Sequence, residues 1–431
     1  MGISQRLVNL IKDNSCRGAK WLLGNSSYSA SRKPSAVGSR SESLLNLIVD
    51  NSFAGFKSLH LVDLRSQLFF NTATPLLTFG EGPESAVAQD TTSSYTQAAD
   101  ADDLMKLAEV AGLEWLQLPT PIFSFEATEE PDHYEINCIP LTDHKVVIMD
   151  HSRHTFLFDA DMRHAGTMPN LHKAKEMPIS LFVPSVDPDA LNGGGSLYVM
   201  EKIPKPEVGG RALSDQFEAM VFKPAVTTTG LSADCRLLPP PPFVRDPAYH
   251  RYPYPRITAY AVIGSNICIS VDQAGTYCLD MLRNTWDKVG EWTLPFYGKV
   301  EYVPELKLWF GLSMKDNHLA AADLSDMNSQ PQLIVMDSSK ELDPPEEWHA
   351  TRDSQLVNLG SGRFCIARFF QTLSMDDDSI DESIDEVNQI FVFTGVEVIP
   401  PGHVGNSCGN GSGAGKRQPK RPLCPSFFRW E

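Results

Sequence analysis

The chain has 431 residues and 42% hydrophobic content, enough for one large all-β domain or two to three ordinary ones, and too apolar for global disorder. Its net charge of −17 is unevenly placed: residues 42–400 carry 25 basic and 52 acidic groups, residues 1–41 seven and one, residues 401–431 five and one. An acidic body lacks the clustered Lys and Arg that a phosphate backbone requires, and no run reaches the ~18 apolar residues of a membrane span. No nucleic acid and no membrane are therefore expected as partners.

In chain order, residues 1–41 read as a basic, Ser-rich disordered extension. It holds a partial duplicate of the segment that begins the folded body. "NLIKDNSCRGAKWLL" (Asn9–Leu23) repeats the stretch starting "NLIVDN" at Asn46, with nine identities in the 14 positions from Leu7/Leu44 to Lys20/Lys57. The first copy then dissolves into Ser and basic residues, so only the second copy is expected to fold, and loss of residues 1–41 is expected to leave stability nearly unchanged. The composition also matches organelle transit peptides, a minority reading beside a cytoplasmic or nuclear location.

Residues 42–399 alternate short apolar runs with Gly, Pro, Asn and Asp, such as "HKVVIMD", "NICISVD" and "KLWFGLS". That pattern predicts an all-β fold, here a kelch-like β-propeller of about six four-stranded blades. One half-unit recurs: a strand ends on Asp, turns, and returns on a large residue. The pairs are Asp63 with Phe69 and Asp280 with Trp286. Asp159 stands in a copy where Ala165 replaces the aromatic, and Asp323 in a looser one. The Asp is expected to accept backbone N–H bonds in the turn, with the aromatic packing on a neighbouring sheet. Asp63, Phe69, Asp159, Asp280, Trp286 and Asp323 are expected to be structural blade positions. The strand "IFVFTGVEV" is expected to close the ring against the first blade.

Two insertions interrupt the pattern, both expected on one face. Residues 81–119 end in "DDLMKLAEVAGLEWL", where Leu104, Leu107, Ala108 and Ala111 share a helical face. Residues 372–387 form an acidic loop. Residues 400–431 read as a Gly-rich, basic, disordered tail.

The eight cysteines form no C-x-x-C, and several lie in strand-like runs, which reads as buried thiols in a reducing compartment. "DHSRH" gathers Asp150, His151 and His154, with His133 and His164 nearby. Spacing of three across a turn suits exposed histidines better than a metal site, which on a strand prefers i, i+2. Asp376 and Asp378 begin a poor calcium loop, because Ile380 fills a ligand position. "GNGSGAGKR" departs from a phosphate loop at Asn410 and Arg417. "LLPPPPFVRDP" (Leu237–Pro247) reads as a rigid connector between blades. No catalytic, cofactor-binding or metal-binding residue is nominated, and the chain is not expected to be an enzyme.

The blocks "NLIVDNSFAGFKSLHLVDL", "TMPNLHKAKEMPISLFVPS", "GTYCLDMLRNTWDKVGEWTLPFYGKVEYVPELKLWFGLS" and "SQLVNLGSGRFCIARFF" resemble a plant family, expanded in grasses. It is known only as a domain of unknown function of the 1668/1618 type, similar to kelch and F-box-associated propellers but without an F-box. The resemblance covers about residues 42–400 and implies a propeller with no assigned activity and no catalytic residues. The expected function is non-catalytic binding of an unidentified protein partner by a monomer, through loops on one face and without a cofactor. The alternative is a small-molecule binder, for instance of sugars, or an enzyme using the central channel. That alternative predicts ionisable residues clustered at one mouth of the channel.

Overall fold

The computed structural model describes residues 9–12, 21–24, 44–51, 56–63, 114–115, 119–126, 136–142, 145–160, 162–185, 194–210, 212–223, 232–334, 344, 346, 348–351, 353–373, 387–399 and 429–430. The described residues are all-β apart from two single-turn 3-10 segments at Pro242–Val244 and Pro247–Tyr249. Their sheets are arranged as the blades of a propeller.

The strands are β1 (Asn9–Lys12), β2 (Trp21–Gly24), β3 (Leu44–Asn51), β4 (Phe56–Asp63), β5 (Glu114–Trp115) and β6 (Phe123–Glu126). Next come β7 (Asn137–Thr142), β8 (Lys145–Met149), β9 (Thr155–Asp159) and β10 (His164–Met168). They are followed by β11 (Pro178–Pro184), β12 (Gly195–Glu201), β13 (Ser214–Lys223) and β14 (Ser232–Leu238). Then run β15 (Ile257–Ile263), β16 (Asn266–Val271), β17 (Gly275–Asp280), β18 (Thr285–Gly290), β19 (Phe296–Val303), β20 (Leu308–Ser313) and β21 (Leu319–Ala322). The last are β22 (His349–Ala350), β23 (Gln355–Gly360), β24 (Arg363–Leu373), β25 (Val387–Ile399) and β26 (Arg429–Trp430).

Three sheets are four-stranded, in the orders β2-β3-β4-β6, β7-β8-β9-β10 and β11-β12-β13-β14. Two are seven-stranded. One joins β15–β18 to β19–β21 through parallel pairing of β15 with β19; the other gathers β22–β26 with β1 and β5. The strands β2, β7, β11, β15, β19 and β23 neighbour one another in that order, and β23 returns to β2, so they close a ring.

Burial explains the sequence pattern. Middle strands are covered on both faces and read as nearly continuous apolar runs, as in "KVVIM" and "NICISV". Outer strands such as β10 and β18 are largely exposed and polar. The core is a circuit of clusters shared by successive strand groups. One joins the first two sheets through Ile48, Leu59, Val146 and Phe158. Another packs β11–β14 on β15–β17 through Phe217, Ile269 and Leu279. The circuit closes where Leu45, Leu47 and Val49 meet Val357, Leu359, Phe369, Phe391 and Phe393. The strand holding "IFVFTGVEV" thus packs on the first sheet through this cluster, while its own hydrogen-bonded neighbours are β24, β1 and β26.

Four expectations change. Within residues 1–41, β1 pairs with β25 (Asn9 opposite Phe393) and β2 pairs with β3 (Leu22 opposite Ile48), so disorder is replaced by pairing at these eight positions. The physical reason is that each sheet would otherwise leave a bare edge there. In the tail, Arg429–Trp430 likewise pairs with β25. The cysteines are not all thiols: Cys268 and Cys278 are directly opposite on β16 and β17 and form a disulfide, while Cys138, Cys235 and Cys365 stand outside any disulfide. Finally, the two insertions do not leave from one face. Residues 374–386 connect the second and third strands of a meander, whereas the segment after Asp63 connects a third strand to a fourth; such turns lie at opposite ends of a blade. The expected helix around Leu104–Ala111 lies outside the described residues.

The described blade positions act through their turns. Asp159 Oδ1 accepts from Met162 N (3.1 Å), Asp280 Oδ1 from Leu282 N (2.8 Å) and Arg283 N (3.0 Å), and Asp323 Oδ1 from Ser325 N (2.9 Å). Asp63 is the last residue of β4, and Phe69 lies outside the described residues. Trp286 meets the edge of Phe217 (6.4 Å between centroids), and its indole N–H donates to Pro239 O at 2.8 Å. The bond ties β18 to the polyproline connector, which leads from β14 to β15 with Phe243 and Val244 buried. Replacing Trp286 by Phe keeps the ring contact and loses that bond, so a denaturation midpoint should fall by the equivalent of about 1 kcal/mol.

Candidate functional site

Two polar clusters stand out, and neither contains a residue nominated from sequence. The first anchors the connector between β10 and β11. Glu218 on β13 is fully buried, yet both carboxylate oxygens are occupied. Oε2 accepts from His172 N (2.9 Å), His172 Nδ1 (2.7 Å) and Cys235 Sγ (3.2 Å). Oε1 accepts from Lys173 N (3.3 Å) and from the buried Lys175 ammonium. Burial alone would push the Glu218 carboxyl up, but the charge and hydrogen bond of Lys175 and the donors at His172 outweigh it and hold it below its ordinary value.

His172, Glu218 and Cys235 place potential metal-ligand atoms within 4.8 Å of one another. The donor set does not fit an ion. Lys175 already supplies the cation, and the backbone N–H groups of His172 and Lys173 fill further acceptor positions of Glu218, while burial together with Glu218 pushes the Cys235 thiol up to about 12. The cluster is a structural clasp.

The second cluster lies where the first strands begin. Arg256 immediately precedes β15, Tyr297 is the second residue of β19, Asp353 lies two residues before β23, and Lys202 follows β12. Backbone bonds fix Lys202 between neighbours: its N–H donates to Met177 O (3.0 Å), and its carbonyl accepts from Ile257 N (2.8 Å). Three of these side chains converge on the carboxylate of the fourth, Asp353. Asp353 Oδ1 accepts from Tyr297 Oη at 2.7 Å, and Oδ2 from Arg256 Nη2 at 3.0 Å and from the Lys202 ammonium. Both cations also lie over the Tyr297 ring, at 5.2 Å and 5.6 Å from its centroid.

Burial lowers the Lys202 ammonium below its ordinary range, against the pull of Asp353. Burial and then the bond to Asp353 push the Tyr297 phenol well up. Asp353 is raised by burial, but its bonds to Lys202 and Tyr297 leave it below the usual carboxylate value. Next along the first strands, Tyr260 on β15 stands beside Lys299 on β19, and Lys299 pairs with Glu301. Lys202, Arg256, Tyr297 and Asp353 thus gather at one end of the ring, while Tyr260, Lys299 and Glu301 lie further along the strands.

Exposed apolar residues lie at that end. Met177 precedes β11, Val208 (93% exposed) and Leu213 lie in the β12–β13 turn, Tyr252 (86%) precedes β15, and Met314 follows β20. The pairings Pro178 with Glu201 and Phe296 with Ser313 show that these turns share the end where β11 and β19 begin.

Among the described residues, the histidines singled out from the sequence do not assemble. Asp150 binds His154 through the backbone N–H (2.7 Å) and Nδ1 (2.8 Å) in an exposed turn. His164 is exposed on β10, and His133, Asp376, Asp378 and the "GNGSGAGKR" segment lie outside the described residues. No helix among the described residues is long and apolar enough to cross a membrane.

A sequence-family profile described as "Protein of unknown function (DUF1668)" matches residues 42–420. No curated protein matches the chain. Solved structures similar to it include AztD from Citrobacter koseri in its apo form (10% identity, 83% of this chain and 87% of that one, TM-score 0.31). BamB from Moraxella catarrhalis is similar at 8% identity over 82% and 79% of the chains, with a TM-score of 0.25. A structural-genomics protein of unknown function from Bacteroides thetaiotaomicron shows 9% identity over 61% and 69%, with a TM-score of 0.27. TM-scores this low carry no functional argument.

Proposed function

The chain belongs to the family described as Protein of unknown function (DUF1668), and on that premise we propose a non-catalytic, monomeric propeller that binds a protein partner on one face. The finer reading is a plant, kelch-like propeller of about six blades acting in the cytoplasm or nucleus. The six-membered ring of first strands supports that number, if the sheet of β15–β21 counts as two blades.

The observation that carries the binding reading is that the exposed apolar residues Met177, Val208, Leu213, Tyr252 and Met314 share one end of the ring with the Asp353 cluster. Several exposed large apolar groups on one end of a fold suit a protein-binding face. The groups best placed for chemistry favour binding over catalysis: the Lys202 amine is engaged by Asp353, and the Tyr297 phenol is held protonated. A small-molecule ligand at the same mouth is the second reading, favoured by the ionisable residues there.

Affinity capture tests the protein-binding reading. Val208→Asp with Tyr252→Asp should lose the partners that the wild-type chain retains. Leu282→Asp, on an 84% exposed residue in the β17–β18 turn at the opposite end, should keep them. Identical recovery from all three chains would refute a partner face at this end.

A further inference from the structure

We infer that the Asp353 cluster is a carboxylate-binding subsite, which receives one acidic side chain of an otherwise apolar segment of the partner. The inference rests on the face proposed above and specifies its chemistry.

The cluster is built from carboxylate-binding parts. Lys202 and Arg256 supply two positive charges, Tyr297 adds a hydroxyl donor, and Asp353 offsets one charge, leaving one net positive at the centre. A guanidinium has five donors in a planar fork suited to carboxylates. Asp353 engages only the Nη2 end of Arg256, and Arg256 Nε is buried without a hydrogen bond to the protein. The Arg256 side chain is 43% exposed, so an incoming carboxylate reaches the guanidinium fork from solvent. Tyr252 and Tyr254, packed edge to face at 5.8 Å, stand just before Arg256 and give the subsite an aromatic flank.

Two features define the ligand class. A single net positive charge matches a single carboxylate, and a polyacidic segment would be repelled by a chain of net charge −17. The exposed apolar residues at the same end favour apolar neighbours for that carboxylate. Asp353 is then an internal competitor for the two cations as well as the group that positions them.

The test uses the full chain and two short capped fluorescent peptides, identical except that a central glutamate, flanked by leucine and phenylalanine, is glutamine in the second. Fluorescence anisotropy should show the glutamate peptide binding at least about tenfold tighter, as expected for losing a charge-assisted hydrogen bond. In Arg256→Gln the preference should fall below about twofold, with the thermal midpoint little changed, because the coupling belongs to that pair. Asp353→Asn should tighten the glutamate peptide. Equal binding of the two peptides by the wild-type chain, or no binding of either at millimolar concentration, would overturn the subsite. So would an undiminished preference in Arg256→Gln. If the peptides fail while Val208→Asp with Tyr252→Asp still loses captured partners, the partner face stands and only the carboxylate chemistry is wrong.

Discussion

Removing residues 1–41 is expected to cost roughly 3–6 kcal/mol, taking each lost backbone hydrogen bond at about 1 kcal/mol. That is a large share of a typical folding stability of about 5–15 kcal/mol. The segment contributes to two sheets at once. Trp21–Gly24 is the first strand of the first sheet and one member of the closed ring, between β23 and β7. Asn9–Lys12 covers the edge of β25 and bridges it to β5. Deletion would strip the edge of β3, whose Leu45, Leu47 and Val49 close the core against the last sheet. It would also open two strand edges to pairing with other chains. Thermal and urea midpoints of the truncated chain check this, with light scattering to detect association. An unchanged midpoint would mean that these strands contribute nothing to the closure.

The duplicated opening therefore has a physical sense that the sequence did not disclose. Both copies supply strand segments, but the first is split: its "NLIK" pairs with the last sheet and its "WLLG" with the first. Local features were legible. The turns of Asp159, Asp280 and Asp323 form between neighbours in the chain, and the middle strands show themselves as apolar runs because both of their faces are covered. Closure was not legible, because nothing local to Asn9 reveals that Phe393 will lie opposite. The same limit hid both polar clusters. Lys202 and Asp353 are 151 residues apart, and Glu218 and Lys175 are 43 apart. A usable signal existed at the mouth, since Arg256 and Asp353 fall just before two of the ring's first strands. It required strand boundaries more exact than alternation provides. The cross-strand disulfide was missed for a related reason: the hairpin "NICISVDQAGTYCLD" was readable, but the register placing Cys268 opposite Cys278 was not.

Glu218→Ala should be the most damaging single substitution among the polar residues, at about 3–5 kcal/mol, because it leaves the buried Lys175 ammonium without its counter-charge. It also removes the acceptor for the backbone N–H groups of His172 and Lys173, so the connector between β10 and β11 loses its anchor. Lys175→Met should be comparably harmful, since it strands the carboxylate instead. The pair Lys175→Met with Glu218→Leu should recover much of the loss, because neither buried charge remains. Denaturation midpoints of the four chains complete the cycle, and additive losses would show that the two groups do not act together. Acid supplies an independent check. The folded Glu218 carboxyl lies below its ordinary value of 4.5, so its ionised form contributes stability that is present above that value and lost as pH falls through the lower folded one. The wild-type midpoint should therefore drop more steeply below about pH 4.5 than that of the double variant, which has no carboxyl to protonate there. Equal slopes would place the acid sensitivity of the fold elsewhere and leave Glu218 a hydrogen-bond acceptor whose charge is immaterial.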